Sequence, residues 1–202
     1  MSVSRDVDLS PGLDAGIRRL LERIARPAAA VPVDLAAIGD ALIELSLQVD
    51  DLRPAIEQMD AAGGGLALHA PTRGPRLTLV HRPEGEMSAI HDHGTWVVMA
   101  PISGLETHRR YRMTGGRPAA GVEVAETLEL EPSRAATLLP PDDIHDHGHL
   151  AGHGAPAYVL ILLGDDQRRF TRNEWDAATG RHRVLEPGDG GRWLASEPMP
   201  DA

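Results

Sequence analysis

The chain predicts a mainly β fold, a barrel or sandwich, preceded by a helical segment. Between residues 76 and 164, short apolar or alternating runs recur and are separated by Gly, Pro and Asp turns. No helical pattern interrupts them, which disfavours an alternating α/β sheet. Helical periodicity is confined to the stretch before residue 62.

Taken in order, Leu13, Ile17, Leu20, Leu21 and Ile24 lie on one face of a helix over residues 13–26, closed by Pro27. Residues 34–48 repeat the pattern, with Asp34 as N-cap and Leu35, Ile38, Leu42 and Leu45 on one face. A third helix is expected over residues 53–61, with Pro54 in its first turn, and "AAGGG" ends the helical section. Strands follow at "RLTLVHR" (76–82), "TWVVMAPI" (95–102), "ETHRRYRM" (106–113), "GVEVAETLEL" (121–130), "AATLLP" (135–140) and "AYVLILLG" (157–164). "RRFTRNEW" and "RHRVLEP" flank "DAATG" and form a hairpin. The tail after Pro187 is expected to be irregular, pinned by Trp193. This divides the chain into a helical segment (1–62), a barrel (63–187) and a tail (188–202).

A length of 202 residues with 42% hydrophobic content suits one domain with a real core. Aromatics make up 3%, so that core must rest on Leu, Val, Ile and Ala. The formal charge of −10 argues against nucleic acid or an anionic membrane as partner. No apolar run reaches the roughly 18 residues a membrane helix needs. The N-terminal "MSVSRDVDLSPGLDAG" lacks an apolar signal core, so a cytoplasmic location is expected. Cysteine is absent, which leaves histidine and carboxylate as the available metal chemistry.

Ten histidines are present, and "HDHG" occurs twice, at residues 91–94 and 145–148. On a strand, residues i and i+2 share a face, so His91 and His93 can aim at one point while Asp92 faces away. His145, behind the turn "PPDDI", is the third ligand candidate. One metal site is expected, built from both histidines of the first copy and the first of the second. Imidazole suits iron, zinc, copper and nickel alike.

Gly85, five further residues, His91-x-His93 and later Gly104 resemble the first cupin motif. "PPDDIH", with His149 four residues after His145, resembles the second, whose last position is often Asn. The first motif usually adds a glutamate ligand, but this chain has "GTWVV" there. That absence is shared with the cysteine-dioxygenase-like cupins, in which three histidines hold ferrous iron. "GEMSAIHDHGTW" is similar to the segment around their first two ligands, and "ALHAPTRGPRLTLV" is weakly similar to the stretch preceding it in bacterial thiol dioxygenases. The resemblance spans about residues 66–165. It implies a double-stranded β-helix, a jelly-roll-like barrel, with iron(II) at His91, His93 and His145 and dioxygen as co-substrate. Zinc, nickel or manganese are the alternative ions.

The chain departs from that family in three places. The Arg or Gln that holds the substrate carboxylate falls on glycine in "AAGGGLALH". The Ser, His and Tyr of a late strand fall on Val159, Ile161 and Leu163, and a Cys found in some members falls near Val97. One pocket wall should therefore be apolar, and substrate recognition must come from elsewhere. Arg82, Arg109 and Tyr111 are the candidate replacements, with Trp96 as a candidate pocket wall. His147 and His149, two and four residues beyond His145, are candidates for orienting a ligand or moving protons, and His153 is expected to face solvent. The leading expectation is an iron(II) dioxygenase acting on a small molecule, first of all a thiol. A carbon–carbon-cleaving dioxygenase, isomerase or lyase, and a non-catalytic ligand-binding cupin, are the alternatives, and a homodimer is a further expectation.

Overall fold

The computed structural model describes residues 3–4, 9–62, 64–114, 121–176, 182–187 and 193–195. Helix α1 (Pro11–Ala29) starts at Ser10, whose hydroxyl accepts the Leu13 N–H at 3.2 Å. It overruns the expected stop at Pro27. In the last turn a proline forfeits only one donor, and its carbonyl still accepts from Ala30 and Asp34. Helix α2 (Leu35–Ser46) is capped by Asp34, which accepts the Ala37 N–H at 3.1 Å. Helix α3 (Val49–Ala62) begins earlier than expected, because Asp50 and Asp51 favour its positive N-terminal end, and so carries Pro54 past its first turn.

The strands are β1 (Val3–Ser4), β2 (Gly65–His69), β3 (Arg76–Arg82), β4 (Glu86–Met87), β5 (Ile90–His91), β6 (Val97–Ser103) and β7 (Glu106–Thr114), followed by β8 (Gly121–Leu130), β9 (Ala136–Leu138), β10 (His145–His149), β11 (Ala157–Leu163), β12 (Arg172–Trp175), β13 (His182–Pro187) and β14 (Trp193–Ala195). Among the described residues they form two sheets. One runs β1-β2-β3-β11-β6-β9, and the other β14-β13-β12-β5-β10-β7-β8, with β4 also paired to β10. Together they make the mainly β architecture expected, with the three helices N-terminal to it.

Strands β6 and β11 of the first sheet are buried on both faces, which is why they read as nearly continuous apolar runs. Leu77, Leu79, Val98, Ala100, Ile102, Leu160 and Leu162 join Leu13, Ile17, Ile38, Leu42 and Leu45 of the helices in an outer layer. Alternate residues on the same strands, Val80, Val97, Met99, Val159, Ile161 and Leu163, form a second, inner layer with Leu138. Trp96 belongs to the outer layer and is 8% exposed. It packs with the helices and does not wall the barrel interior as expected.

The hairpin β12–β13 forms as expected, with Trp175 opposite His182, although residues 177–181 of its turn lie outside the described residues. The tail is not wholly irregular: β14 pairs with β13, placing Ala195 opposite Leu185. The expected anchoring by the Trp193 side chain lies outside what is described. Among the described residues, no helix is long and apolar enough to cross a membrane.

Leu42 is fully buried between helices and sheet, whereas Leu47 is 52% exposed. Leu42→Ala is expected to lower stability in urea unfolding by about 2–5 kcal/mol, and Leu47→Ala by less than about 0.5 kcal/mol.

Candidate metal centre

Strands β5 and β10 pair antiparallel with His91 directly opposite His145, and His93 follows two residues on. The three rings converge. Their centroids are 4.6 Å (His91–His93), 4.4 Å (His91–His145) and 5.0 Å (His93–His145) apart. One nitrogen from each lies within 4.8 Å of the others.

Hydrogen bonds decide which nitrogen that is. The Nδ1–H of His91 donates to the Ala89 carbonyl at 2.7 Å, and that of His145 to the Asp143 carbonyl at 2.8 Å. His93 Nδ1–H donates to Gln167 Oε1 at 2.7 Å. A neutral imidazole has one N–H, so every Nε2 carries a lone pair. His91 Nε2 and His93 Nε2 then face each other at 3.0 Å as two acceptors with no proton between them. His145 Nε2 is buried with no hydrogen-bond partner among the described residues. Lone pairs in this arrangement repel unless a cation lies among them, and all-nitrogen donation suits a divalent transition metal. The residues therefore fit a metal ion. Burial, above all, holds His91 and His93 well below the usual imidazole range and brings His145 down to about 3, so the rings stay neutral and available as donors.

The back faces of these segments fix the strands in place. Asp92 accepts from the Asn173 backbone N–H at 2.6 Å and from its side-chain amide at 2.5 Å. Asp146, between His145 and His147, accepts from Arg109 Nε at 2.9 Å and Nη2 at 2.5 Å, and from the Tyr111 hydroxyl at 2.9 Å. Asp143 accepts the His93 backbone N–H at 2.9 Å. Strand β10 continues through Gly148, where a Cβ would sit 2.0 Å from the Glu86 carbonyl; only glycine lets β4 lie this close.

Farther along the interior, His147 Nδ1–H donates to Glu106 Oε1 at 2.7 Å, and Arg82 Nη2 donates to His147 Nε2 at 2.9 Å. Arg82 Nε lies 3.7 Å from Glu106 Oε1. Burial raises the Glu106 carboxyl to about 7, with Arg82 opposing the shift. His108 stacks on His145, ring centroids 5.1 Å apart, and burial lowers it to about 2. The inner layer of the opposite sheet offers Val159, Ile161 and Leu163, an apolar surface at the positions expected to be apolar.

The structure brings together His91, His93 and His145, and sets His147 and Arg82 in the same interior. His149 is placed otherwise: its Nδ1 meets the Leu105 carbonyl at 2.6 Å and its Nε2 the Gly154 carbonyl at 3.3 Å. Its ring serves the backbone and not the proton chemistry expected of it. Arg109 and Tyr111 are turned to the opposite face by strand alternation and bind Asp146, which removes them from the interior. His153 faces Glu129 at 3.6 Å. Glu106, His108 and Gln167 escaped the sequence reading. The alternation in "ETHRRYRM" does put Glu106 and His108 on one face, but only the pairing of β7 with β10 shows that this face is interior. Nothing local marks Gln167.

No protein-family model matches the chain, and no curated protein matches it. Solved structures do. A conserved protein with a double-stranded β-helix domain from Klebsiella pneumoniae is 14% identical, over 50% of this chain and 73% of that one, with a TM-score of 0.38. A cupin superfamily protein from Desulfitobacterium hafniense is 12% identical over 50% and 74%, with a TM-score of 0.36. A DMSP lyase from Ruegeria pomeroyi is 14% identical over 50% and 46%, with a TM-score of 0.35.

Gln167→Leu removes the acceptor that holds the His93 ring. It is expected to weaken zinc or cobalt binding about 10–100-fold in chelator competition. His145→Ala should abolish stoichiometric metal, and His153→Ala should leave it unchanged.

Proposed function

We propose that this chain is a metal-dependent enzyme of the non-haem iron(II) dioxygenase type, acting on a small organic molecule, with a thiol as first substrate class. One observation carries the reading: three Nε2 lone pairs meet in a buried interior, each turned there by a protein oxygen on the far side of its ring. A ferrous ion held by His91, His93 and His145 would keep its full charge, because its ligands are neutral, and would supply an attractive centre for a thiolate together with redox chemistry toward dioxygen.

The chain's own residues do the rest. Val97, Met99, Val159, Ile161 and Leu163 give the hydrocarbon part of a substrate an apolar surface and exclude water from it. Arg82 brings the fixed positive charge of its guanidinium into the same interior, where His147 accepts one of its N–H groups and limits its rotation. The Nδ1–H bonds to Ala89, Asp143 and Gln167 hold the ligand rings in one tautomer, so no reorientation is needed when a metal enters.

A second reading is favoured by the apolar surface at Val159, Ile161 and Leu163, where thiol dioxygenases place polar groups. It keeps the three histidines and assigns carbon–carbon cleavage, isomerisation or lyase chemistry to a non-thiol substrate. Zinc or nickel in protein purified without added metal would favour its redox-silent forms.

Anaerobic loading with ferrous iron, followed by oxygen uptake with cysteine, 3-mercaptopropionate and cysteamine, separates the two. Uptake above the metal-free control is expected with at least one thiol. No uptake with any of them rejects the thiol reading.

A further inference from the structure

Beside the three ligand histidines lies a set of buried polar atoms without hydrogen bonds among the described residues. Arg82, Glu106 and His108 are 8%, 0% and 0% exposed. Among the described residues, Arg82 Nε, Glu106 Oε2 and both nitrogens of His108 have no hydrogen-bond partner. A desolvated polar atom without a partner costs about 1–3 kcal/mol, so several in one interior call for something outside the chain to satisfy them.

Their neighbours show how they are held. The other oxygen of Glu106 already accepts from His147 Nδ1–H, and Arg82 Nη2 already donates to His147 Nε2. The atoms without hydrogen bonds are thus one guanidinium N–H that can only donate, 3.7 Å from Glu106 Oε1, one carboxylate oxygen that accepts, and a neutral imidazole able to do both. Glu106 and His108 are two residues apart on β7, and His108 lies opposite His147 on β10, so these side chains share the interior face. His108 and His147 sit one ring away from the metal-facing His145, at 5.1 and 5.4 Å.

We propose that Arg82, Glu106 and His108 form a second polar subsite, which takes the hydroxyl group of a substrate whose other end is bound at the metal. A hydroxyl oxygen accepts from Arg82 Nε–H while its hydrogen goes to Glu106 Oε2, satisfying both with no change in charge. An ammonium opposes Arg82. A carboxylate opposes Glu106 in its ionised form, which prevails above the pH of about 7 to which burial raises that carboxyl. A three-carbon spacer of about 5 Å is on the scale of the 5.1 and 5.4 Å between the His145 ring and those of His108 and His147. This deepens the proposed function and rests on its metal-bound anion.

The test uses cobalt(II)-loaded protein and four thiols that differ only in the tail: 3-mercapto-1-propanol, 3-mercaptopropionate, 3-amino-1-propanethiol and 1-propanethiol. The readout is the thiolate-to-cobalt absorption band. The hydroxyl tail is expected to bind on the order of tenfold tighter than the plain propyl chain, with the ammonium tail weakest. In Glu106→Gln, the amide oxygen must face His147 Nδ1–H. The amide N–H then replaces the free acceptor, and preference should pass to the carboxylate tail. Equal affinities for all four tails, or a wild-type preference for the carboxylate, overturn the subsite alone. Retention of the hydroxyl preference in Glu106→Gln overturns the part given to Glu106. Absence of a band with every thiol overturns the metal-bound anion and the subsite with it. The wild-type series decides the matter if the variant does not fold.

Discussion

Two imidazole nitrogens that both hold lone pairs, 3.0 Å apart in a buried interior, are the constraint around which this molecule is arranged. Neither ring can relieve the contact by changing tautomer, because each Nδ1–H is already engaged by an oxygen. Protonation would relieve it, but burial opposes a charged ring. Holding such a contact needs a stiff frame. The His91–His145 cross-strand pair supplies it from the front, and the aspartates of the two "HDHG" segments supply it from behind. Asp92 ties the first to β12, and Asp146 ties the second to β7. The repeated tetrapeptide therefore places donors on one face and tethers on the other, while its second copy sends only one ring to the centre.

The two sheets divide the work. The first has apolar side chains on both faces and needs the helices to cover one of them. The second carries nearly all the interior polarity, from His91 through His147 to Glu106. Arg82 is the exception. It crosses from the apolar sheet to meet His147 and Glu106, and so joins the two sheets through a buried hydrogen-bonded contact. Such a contact is costly to leave half-made, which favours one arrangement of the barrel over slipped alternatives.

The helices and most strands could be read from the sequence because their signals are local. Asp34 and the Leu35–Leu45 face announce α2, and the runs at 76–82 and 121–130 coincide with β3 and β8. The three ligands were readable because strand alternation and a second histidine cluster each constrain the answer. What stayed hidden depends on pairing between distant segments. Arg109 and Tyr111 look like substrate contacts until Asp146 is placed beside them, and Glu106 looks like a surface acid until β7 is set against β10. Trp96 misleads for the same reason, since the strand that follows it, β6, has two buried faces and its type does not choose between them.

The strands of the first sheet serve two layers with one backbone. Leu160 and Leu162 grip the helices, while their neighbours Val159, Ile161 and Leu163 shape the surface turned toward the histidines. No spacer separates the two roles, so a shift on one side must reach the other within the thickness of a single chain. Robustness and selectivity are thereby linked: a bulkier or looser packing under the helical cover would reshape the room available to whatever molecule the barrel admits.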